Sequence, residues 1–520
     1  MLPRVTGAES LLRTLVANGV DTCFMNPGTS EMHFVAALDR VAGLRGVLGL
    51  FEGVCSGAAD GYARVTGRPA ATLLHLGPGL GNSLANFHNA RKARSPIVSI
   101  VGEHATAHLK VDAPLTSDIA TFARTVSNCV RTATSADDVG VAAAETIAAA
   151  CQPPGQIAML IIPADYSWSE ANVVGPVIAC PQRRMPPDDA IDNAAQLLAQ
   201  PGTAVLIGGT AATPRALKAA GRIVAATGVR FITARNAPKI ATGRGVFQPP
   251  QVAYFPEGAL PMFADVKNLI LVEAEKPVSF FAYPGIPSYM VPDSCAVSAL
   301  AGREQDGTAA LEALADACGA LAVYPFVQEP EAVVAPEDSS ELTLDAMGQT
   351  LAACLPDNAL IADEMVSSSG KILKYLAAAA PHEFMPVTGG SIGQGLPVAL
   401  GAAIACPDRK VVALEADGSG MYTLQALWTM ARENHDVVIV IFANRRYRIL
   451  DIEMARTGAN GFGRIANDMI DIGRPNLDWV KLAEGCGVAA TRALTAREFT
   501  EQIRDAFGQR GPRLVEAVFA

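Results

Sequence analysis

The 520-residue sequence carries a formal net charge of -10, with 41 Lys and Arg against 51 Asp and Glu, and half of its residues are apolar. With no basic block and only seven His, it argues against nucleic acid or an anionic membrane as partner and for a small molecule. The length predicts about three domains, and the apolar content suits an α/β protein with extensive buried surface.

Read from the N-terminus, Thr6 and Glu9 form a capping-box pattern before an amphipathic stretch that ends near Gly19. This predicts a folded helix rather than a signal peptide. Apolar runs at 45–52, 70–76, 96–102 and 157–163 read as strands, with helices expected over 53–67 and 82–93. Strands are next expected at 203–209, 229–234 and 268–274, and then at 359–364, 410–417 and 437–444. The runs are continuous in Val, Ile and Leu rather than alternating, which points to parallel strands covered on both faces. Stretches 180–190 and 324–341 are rich in Pro and charge and lack apolar periodicity, so they read as linkers. The expected architecture is three tandem doubly wound α/β domains with parallel sheets, spanning 1–180, 186–325 and 338–520.

The ten cysteines are scattered without C-x-x-C spacing, so neither a zinc site nor a disulfide framework is indicated and a reducing cytoplasm is expected. The apolar run at 396–406 is about half the ~20 residues needed to cross a membrane, so no membrane span is expected.

The most informative stretch is "VVALEADGSGMYTLQALW". Asp417 ends one predicted strand, and Asn444 ends the next, 27 residues later, with a helix expected between them at about 422–433. Neighbouring parallel strands bring that carboxylate and amide oxygen to one sheet edge, where two hard oxygen ligands suit Mg²⁺. Gly418, Ser419 and Gly420 leave backbone N–H groups free to face an anion, so a magnesium-bridged diphosphate is expected at this turn. Asp and Ser are also ordinary helix caps, and capping is the competing explanation for an isolated A-D-G-S.

With these residues in view, the sequence resembles the thiamine diphosphate (ThDP) enzymes of the 2-oxoacid decarboxylase and acetolactate synthase superfamily. Within it, the benzoylformate decarboxylases are most similar. The resemblance rests on "NPGTSEMHF", "ADGYAR", "LHLGPGLGN", "GGSIGQGLPVALGAA" and "DGSGMYTLQALWT" together and covers nearly the whole chain. It implies a pyrimidine-binding domain, a central domain and a diphosphate-binding domain, in that order. It also implies Asp417, Asn444 and the carbonyl of Arg446 as metal ligands, with Gly418 and Ser419 beside the diphosphate. Glu52 matches the family's catalytic glutamate, whose carboxyl group favours the imino tautomer of the aminopyrimidine so that the ylid forms. A first-turn Glu also suits a helix dipole. The resemblance gives Gly390 a carbonyl contact to the exocyclic amine and Ile392 a wedge between the cofactor rings, although plain core packing is the commoner fate of an Ile. His75 matches a proton-relaying histidine, and Thr29 a hydroxyl residue near the substrate carboxylate. Core placement competes for His75 and helix capping for Thr29. Ile449 falls where the substrate pocket is lined. His104 and His108 lie on a loop that could face the same cleft.

The activity implied by the resemblance is that of a ThDP- and Mg²⁺-dependent enzyme that decarboxylates a 2-oxo acid by way of an ylid and an enamine, with FAD not expected. A cofactor spanning the first and third domains across a subunit interface implies at least a homodimer, and the superfamily favours a homotetramer. Four features depart from the pattern. Ala416 and Ala443 replace a Gly and an Asn, no His occurs in "PVSFFAYPG", and Arg445, Arg446 and Arg448 crowd the metal loop. Acetolactate synthase-like carboligation is the nearest alternative activity. A non-catalytic ThDP-fold scaffold is an alternative of another class, and a nicotinamide dehydrogenase is a weaker one, since no G-x-G-x-x-G follows a strand with an acidic residue about twenty positions on.

Overall fold

The computed structural model describes residues 5–320, 333–336, 340–459, 461 and 463–519. Most of the second expected linker, 324–341, therefore lies outside the described residues. The first, 180–190, is coil up to Pro187 and then enters the helix Asp188–Leu198.

The first sheet runs Arg45–Leu48, Thr22–Asn26, Ala70–Leu74, Ile97–Glu103, Ile157–Pro163 and Cys129–Thr132 across its width, and every pairing is parallel. Counted from Thr22–Asn26, the order is 2-1-3-4-6-5. A second sheet repeats this order with His382–Pro386, Leu360–Glu364, Val411–Ala416, Val437–Ala443, Arg513–Val518 and Ala489–Ala493. Between them in sequence lies a smaller parallel sheet of Arg230–Thr233, Thr203–Ile207, Asn268–Val272 and Ala296–Ala301.

The all-parallel expectation needs correction at two places, and at the first Val5–Thr6 pairs antiparallel with Glu170–Ala171 in a small sheet of its own. Ile240–Thr242, from the middle segment, pairs antiparallel with His382–Pro386 and becomes a seventh strand of the last sheet. It is three residues long, too short for a periodicity to mark it.

Continuous apolar runs became buried strands: all seven residues of Ile157–Pro163 and all seven of Val437–Ala443 are buried. The expected 422–433 helix is shorter. A four-residue helical turn, Asp417–Gly420, is followed by the helix Ala426–Arg432. At the N-terminus, the Thr6 side chain accepts from the Glu9 N–H and caps the helix Gly7–Ala17.

The first and last domains are joined by the helices Glu52–Thr66 and Gly395–Ala405, which cross in close backbone contact. A Cβ on Gly61 would lie 2.2 Å from the Val398 carbonyl oxygen, and one on Gly401 would lie 1.9 Å from that of Ala58. The apolar run 396–406 is thus a buried helix, and no helix among the described residues is long and apolar enough to cross a membrane. Arg64 is buried and spans the same junction. It pairs with Asp60 and donates to the Pro386 carbonyl and the Thr388 hydroxyl, each at 2.9 Å. Two charged residues of the "ADGYAR" motif therefore clasp the domains together.

Candidate active site

In doubly wound sheets, ligands collect at the carboxyl edge where the strand order reverses. In the first sheet that point lies between Thr22–Asn26 and Ala70–Leu74. His75 follows Leu74 as N-cap of the helix Leu76–Ala93, and its Nδ1 lies 2.8 Å from Oε2 of Glu31. Glu31 also accepts from the Gly28 N–H at 2.8 Å, while its other oxygen is buried without a hydrogen-bond partner among the described residues. Burial pushes the Glu31 carboxyl up, and the neighbouring His75 opposes that shift. Sequence reasoning did not find Glu31. Thr29, expected near the substrate, is exposed and its hydroxyl caps nothing among the described residues. His104 follows the adjacent strand Ile97–Glu103 at the same edge, with its ring 5.3 Å from that of His108.

Glu52 is the first residue of the helix Glu52–Thr66, half-buried, and accepts a 2.9 Å hydrogen bond from the Asn82 side chain. The Asn86 amide donates both to the Gly53 carbonyl and to the Gly393 carbonyl, at 2.8 and 3.1 Å. One chain thus places the Glu52 helix end beside the glycine-rich loop of its last domain.

In the last sheet, Val411–Ala416 pairs with Val437–Ala443 in a register that sets Ala416 opposite Phe442. Asp417 and Asn444 therefore emerge at one edge, as expected. Asp417 is buried, and its two oxygens accept the Gly418 N–H at 2.9 Å and the Arg445 N–H at 2.6 Å. Burial pushes its pKa up to about 6. Asn444 Oδ1 accepts the Arg446 N–H at 3.0 Å, and the Arg446 carbonyl accepts from the Arg448 N–H at 2.8 Å, leaving it one lone pair. The Arg446 guanidinium turns aside to Asp451 and Asn467. Ser419 is buried in the turn, and Gly418 faces the Tyr447 ring, which a Cβ would approach to 2.5 Å.

No group of three or more His, Cys, Asp or Glu that could hold a metal occurs among the described residues. A cation at this turn would rest on one carboxylate, one amide and a carbonyl. That set suits an ion that keeps water and borrows phosphate oxygens, and a buried carboxylate held only by N–H groups has room for it.

Gly390 sits at φ +79°, a conformation that favours glycine, and the ring of Phe280 closes over it, 2.3 Å from where a Cβ would lie. Ile392, two residues on, is half-buried. Phe280 belongs to "PVSFFAYPG" of the middle domain and packs with Tyr254 and Phe281, at ring separations of 5.1 and 4.9 Å. From the same loop, the Tyr283 hydroxyl reaches Glu453 at 3.1 Å. Glu453 lies on the helix Arg448–Arg456, which also carries the half-buried Ile449. Aromatic residues stand in the stretch that lacks a His, and only the tertiary packing brings Phe280 against Gly390.

Beneath the loop, Glu364 accepts the Gly393 and Gly395 N–H groups at 2.7 and 2.5 Å. Its register partner Glu415 is fully buried, with neither oxygen hydrogen-bonded among the described residues. Burial, then the nearby Glu364, push the Glu415 carboxyl well above the usual range.

Residues 5–123 match the thiamine pyrophosphate enzyme N-terminal TPP binding domain, and residues 366–517 match the C-terminal TPP binding domain. A Mycobacterium tuberculosis protein named "Putative acetolactate synthase large subunit IlvX" is 49% identical over 520 residues, covering 99% of each chain. The chain belongs to the thiamine pyrophosphate enzyme family. The benzoylformate decarboxylase of Pseudomonas aeruginosa is 27% identical to this ThDP enzyme, covering 96% of each chain. Its fold is shared with the ThDP-dependent 4-hydroxybenzoylformate decarboxylase of Rhodococcus jostii RHA1, with a TM-score of 0.83 and 25% identity over 99% of this chain and 100% of that one. The enzyme is thus a ThDP-dependent protein of the decarboxylase and acetolactate synthase type, built on parallel-sheet α/β domains.

Proposed function

We propose that the enzyme decarboxylates a 2-oxo acid, with Mg²⁺ joining ThDP to the turn at Asp417. The observation that carries this reading is the Asp417 carboxylate, buried, raised to about 6 and held only by backbone N–H groups. A divalent cation there compensates a charge that the protein leaves unpaired.

Bound ThDP supplies the electron sink that lets carbon dioxide leave. Asp417, Asn444 and the Arg446 carbonyl hold the metal, while Gly418 and Ser419 form the floor beside the diphosphate. Glu52, oriented by Asn82, shares a proton with the aminopyrimidine. Gly390 would offer its carbonyl to the cofactor, and Ile392 would support it from the same loop. His75, held by Glu31, returns a proton to the product carbon, and the Thr29 hydroxyl meets the substrate carboxylate. Phe280 stands against Gly390 at the rim of the site, and Ile449 lines the substrate tail.

We place the active unit as a homodimer at least, with dimers pairing into a homotetramer, acting in the cytoplasm. Leu50 and Tyr422 support the interface: both are about half exposed, and they flank Glu52 and the Asp417 turn. FAD is not part of this reading. At the switch point of the middle sheet, the buried Glu273 carboxylate accepts the Thr210 and Gly307 N–H groups at 3.0 and 2.9 Å, which puts an internal anion where a ligand phosphate would go.

A second reading, acetolactate synthase-like carboligation, is favoured by the name of the 49% identical relative. Titration of metal-stripped enzyme with ThDP, with and without Mg²⁺, followed by carbon dioxide release from aromatic and aliphatic 2-oxo acids, tests the first reading. Metal-independent binding, or none, rejects the Asp417 site. Acetolactate formed from pyruvate moves the assignment to the second.

A further inference from the structure

Outside the active site, two cysteines meet where the first domain gives way to the middle one. Cys151 is the last residue of the helix Ala136–Cys151, and Cys180 stands in the linker that leaves the first domain. Their sulfurs are 2.7 Å apart. That lies between the ~2.05 Å of a disulfide bond and the roughly 3.5–4.0 Å of ordinary non-bonded contact between carbon atoms. Cys180 is exposed and Cys151 half-buried, so the pair is open to solvent.

Both thiols line a cavity of about 410 Å³ whose walls also carry Lys92, Arg94, Arg183 and Arg303. Burial and the contact with Cys180 push the Cys151 thiol up to about 12, so the exposed Cys180 is where attack begins.

The linker matters because Arg183, three residues after Cys180, ties three elements together. It donates to the Pro154 carbonyl of the first domain at 3.2 Å, to Glu273 of the middle domain at 2.8 Å and to the Arg303 carbonyl at 2.8 Å. Fixing Cys180 to Cys151 fixes the approach of Arg183 to both domains.

We propose that Cys151 and Cys180 form a reversible disulfide that latches the linker to the first domain. The oxidant is a low-molecular-weight disulfide of the glutathione class. The Cys180 thiolate attacks one oxidant sulfur, forming a mixed disulfide and releasing one thiolate. Cys151 gives up its proton and attacks the Cys180 sulfur, which releases the second thiolate. Two protein thiols are oxidised and one disulfide is reduced to two thiols.

The test uses full-length holoenzyme, loaded with ThDP and Mg²⁺ and equilibrated with glutathione buffers from fully reduced to fully oxidised. Free thiols are then trapped by alkylation and the peptides mapped by mass spectrometry. The expected result is a peptide pair joined through Cys151 and Cys180, reversed by reduced glutathione, with the fully buried Cys23 and Cys55 unlinked. Trypsin cleavage after the exposed Arg184 should slow several-fold on oxidation in the wild type and be redox-insensitive in Cys151→Ser. A glutathione adduct on Cys180 with Cys151 still alkylatable overturns the proposal, as does a link between separate chains. A Cys151–Cys180 link that leaves the tryptic rate unchanged overturns the latch.

Discussion

The Glu31 carboxylate holds the Nδ1 edge of His75 at 2.8 Å and is itself anchored by the Gly28 N–H. The ring position of His75 is thus set from the short helical turn Thr29–Glu31, 44 residues away in sequence. If Glu31 orients His75 as an acid orients a catalytic imidazole, Glu31→Gln should lower kcat by about 10-fold or more and leave ThDP affinity unchanged. Steady-state kinetics beside cofactor titration separates the two effects. A rise in KM alone would assign Glu31 to substrate binding instead.

Glu52→Gln keeps the hydrogen-bonding shape at the end of the Glu52–Thr66 helix and removes the exchangeable proton. Carbon dioxide release should fall by about 100-fold or more, while ThDP still binds. Wild-type turnover in this variant would remove Glu52 from the mechanism.

Asp417 gives a pH dependence with a defined sign. Its folded-state pKa, about 6, lies above the ordinary 3.8. In metal-free protein, this group's contribution to stability is therefore fully present below the ordinary value and lost as pH rises through about 6. Metal needs the ionised form, so Mg²⁺-dependent ThDP affinity should weaken below pH ~6, by up to about ten-fold per pH unit. Calorimetric titrations between pH ~5 and ~8 should show proton release at the acidic end. Flat affinity across that range would mean that Asp417 does not bind the cation.

Glu415 is an acid with no hydrogen-bond partner among the described residues, in a fully buried position. Replacing it with Met should stabilise the protein by about 1–3 kcal/mol, the cost of an unsatisfied buried polar group. Thermal unfolding should move up by a few degrees. A large fall in melting temperature would show that the carboxyl group is satisfied in solution.

Gly390→Ala meets two obstacles, the positive φ and the Phe280 ring. It should destabilise the protein by about 1 kcal/mol or more and weaken ThDP binding. Adding Phe280→Ala should restore part of the loss, because only the steric share depends on that ring. Identical stabilities for the single and double variants would place Phe280 elsewhere in solution.

Residues whose signal is local were legible in the chain itself. The apolar runs at 157–163 and 437–444 became buried parallel strands because nothing but burial on both faces suits such composition. Asp417 and Asn444 could be placed at one edge because consecutive parallel strands end together. Gly390 and Glu52 were singled out through motif resemblance. What the chain did not reveal depends on contacts between segments distant in sequence. Glu31 is defined by His75, Phe280 by Gly390, the strand Ile240–Thr242 by a sheet in another domain, and Cys151 by Cys180. None of these has a periodicity or a spacing, since each partner acquires its role only when packing brings the other to it. Sequence alone therefore determined the class of fold and the sheet edge shared by Asp417 and Asn444. The tertiary structure decided which side chains meet across the fold, because those interactions act over a few ångströms between residues far apart along the chain.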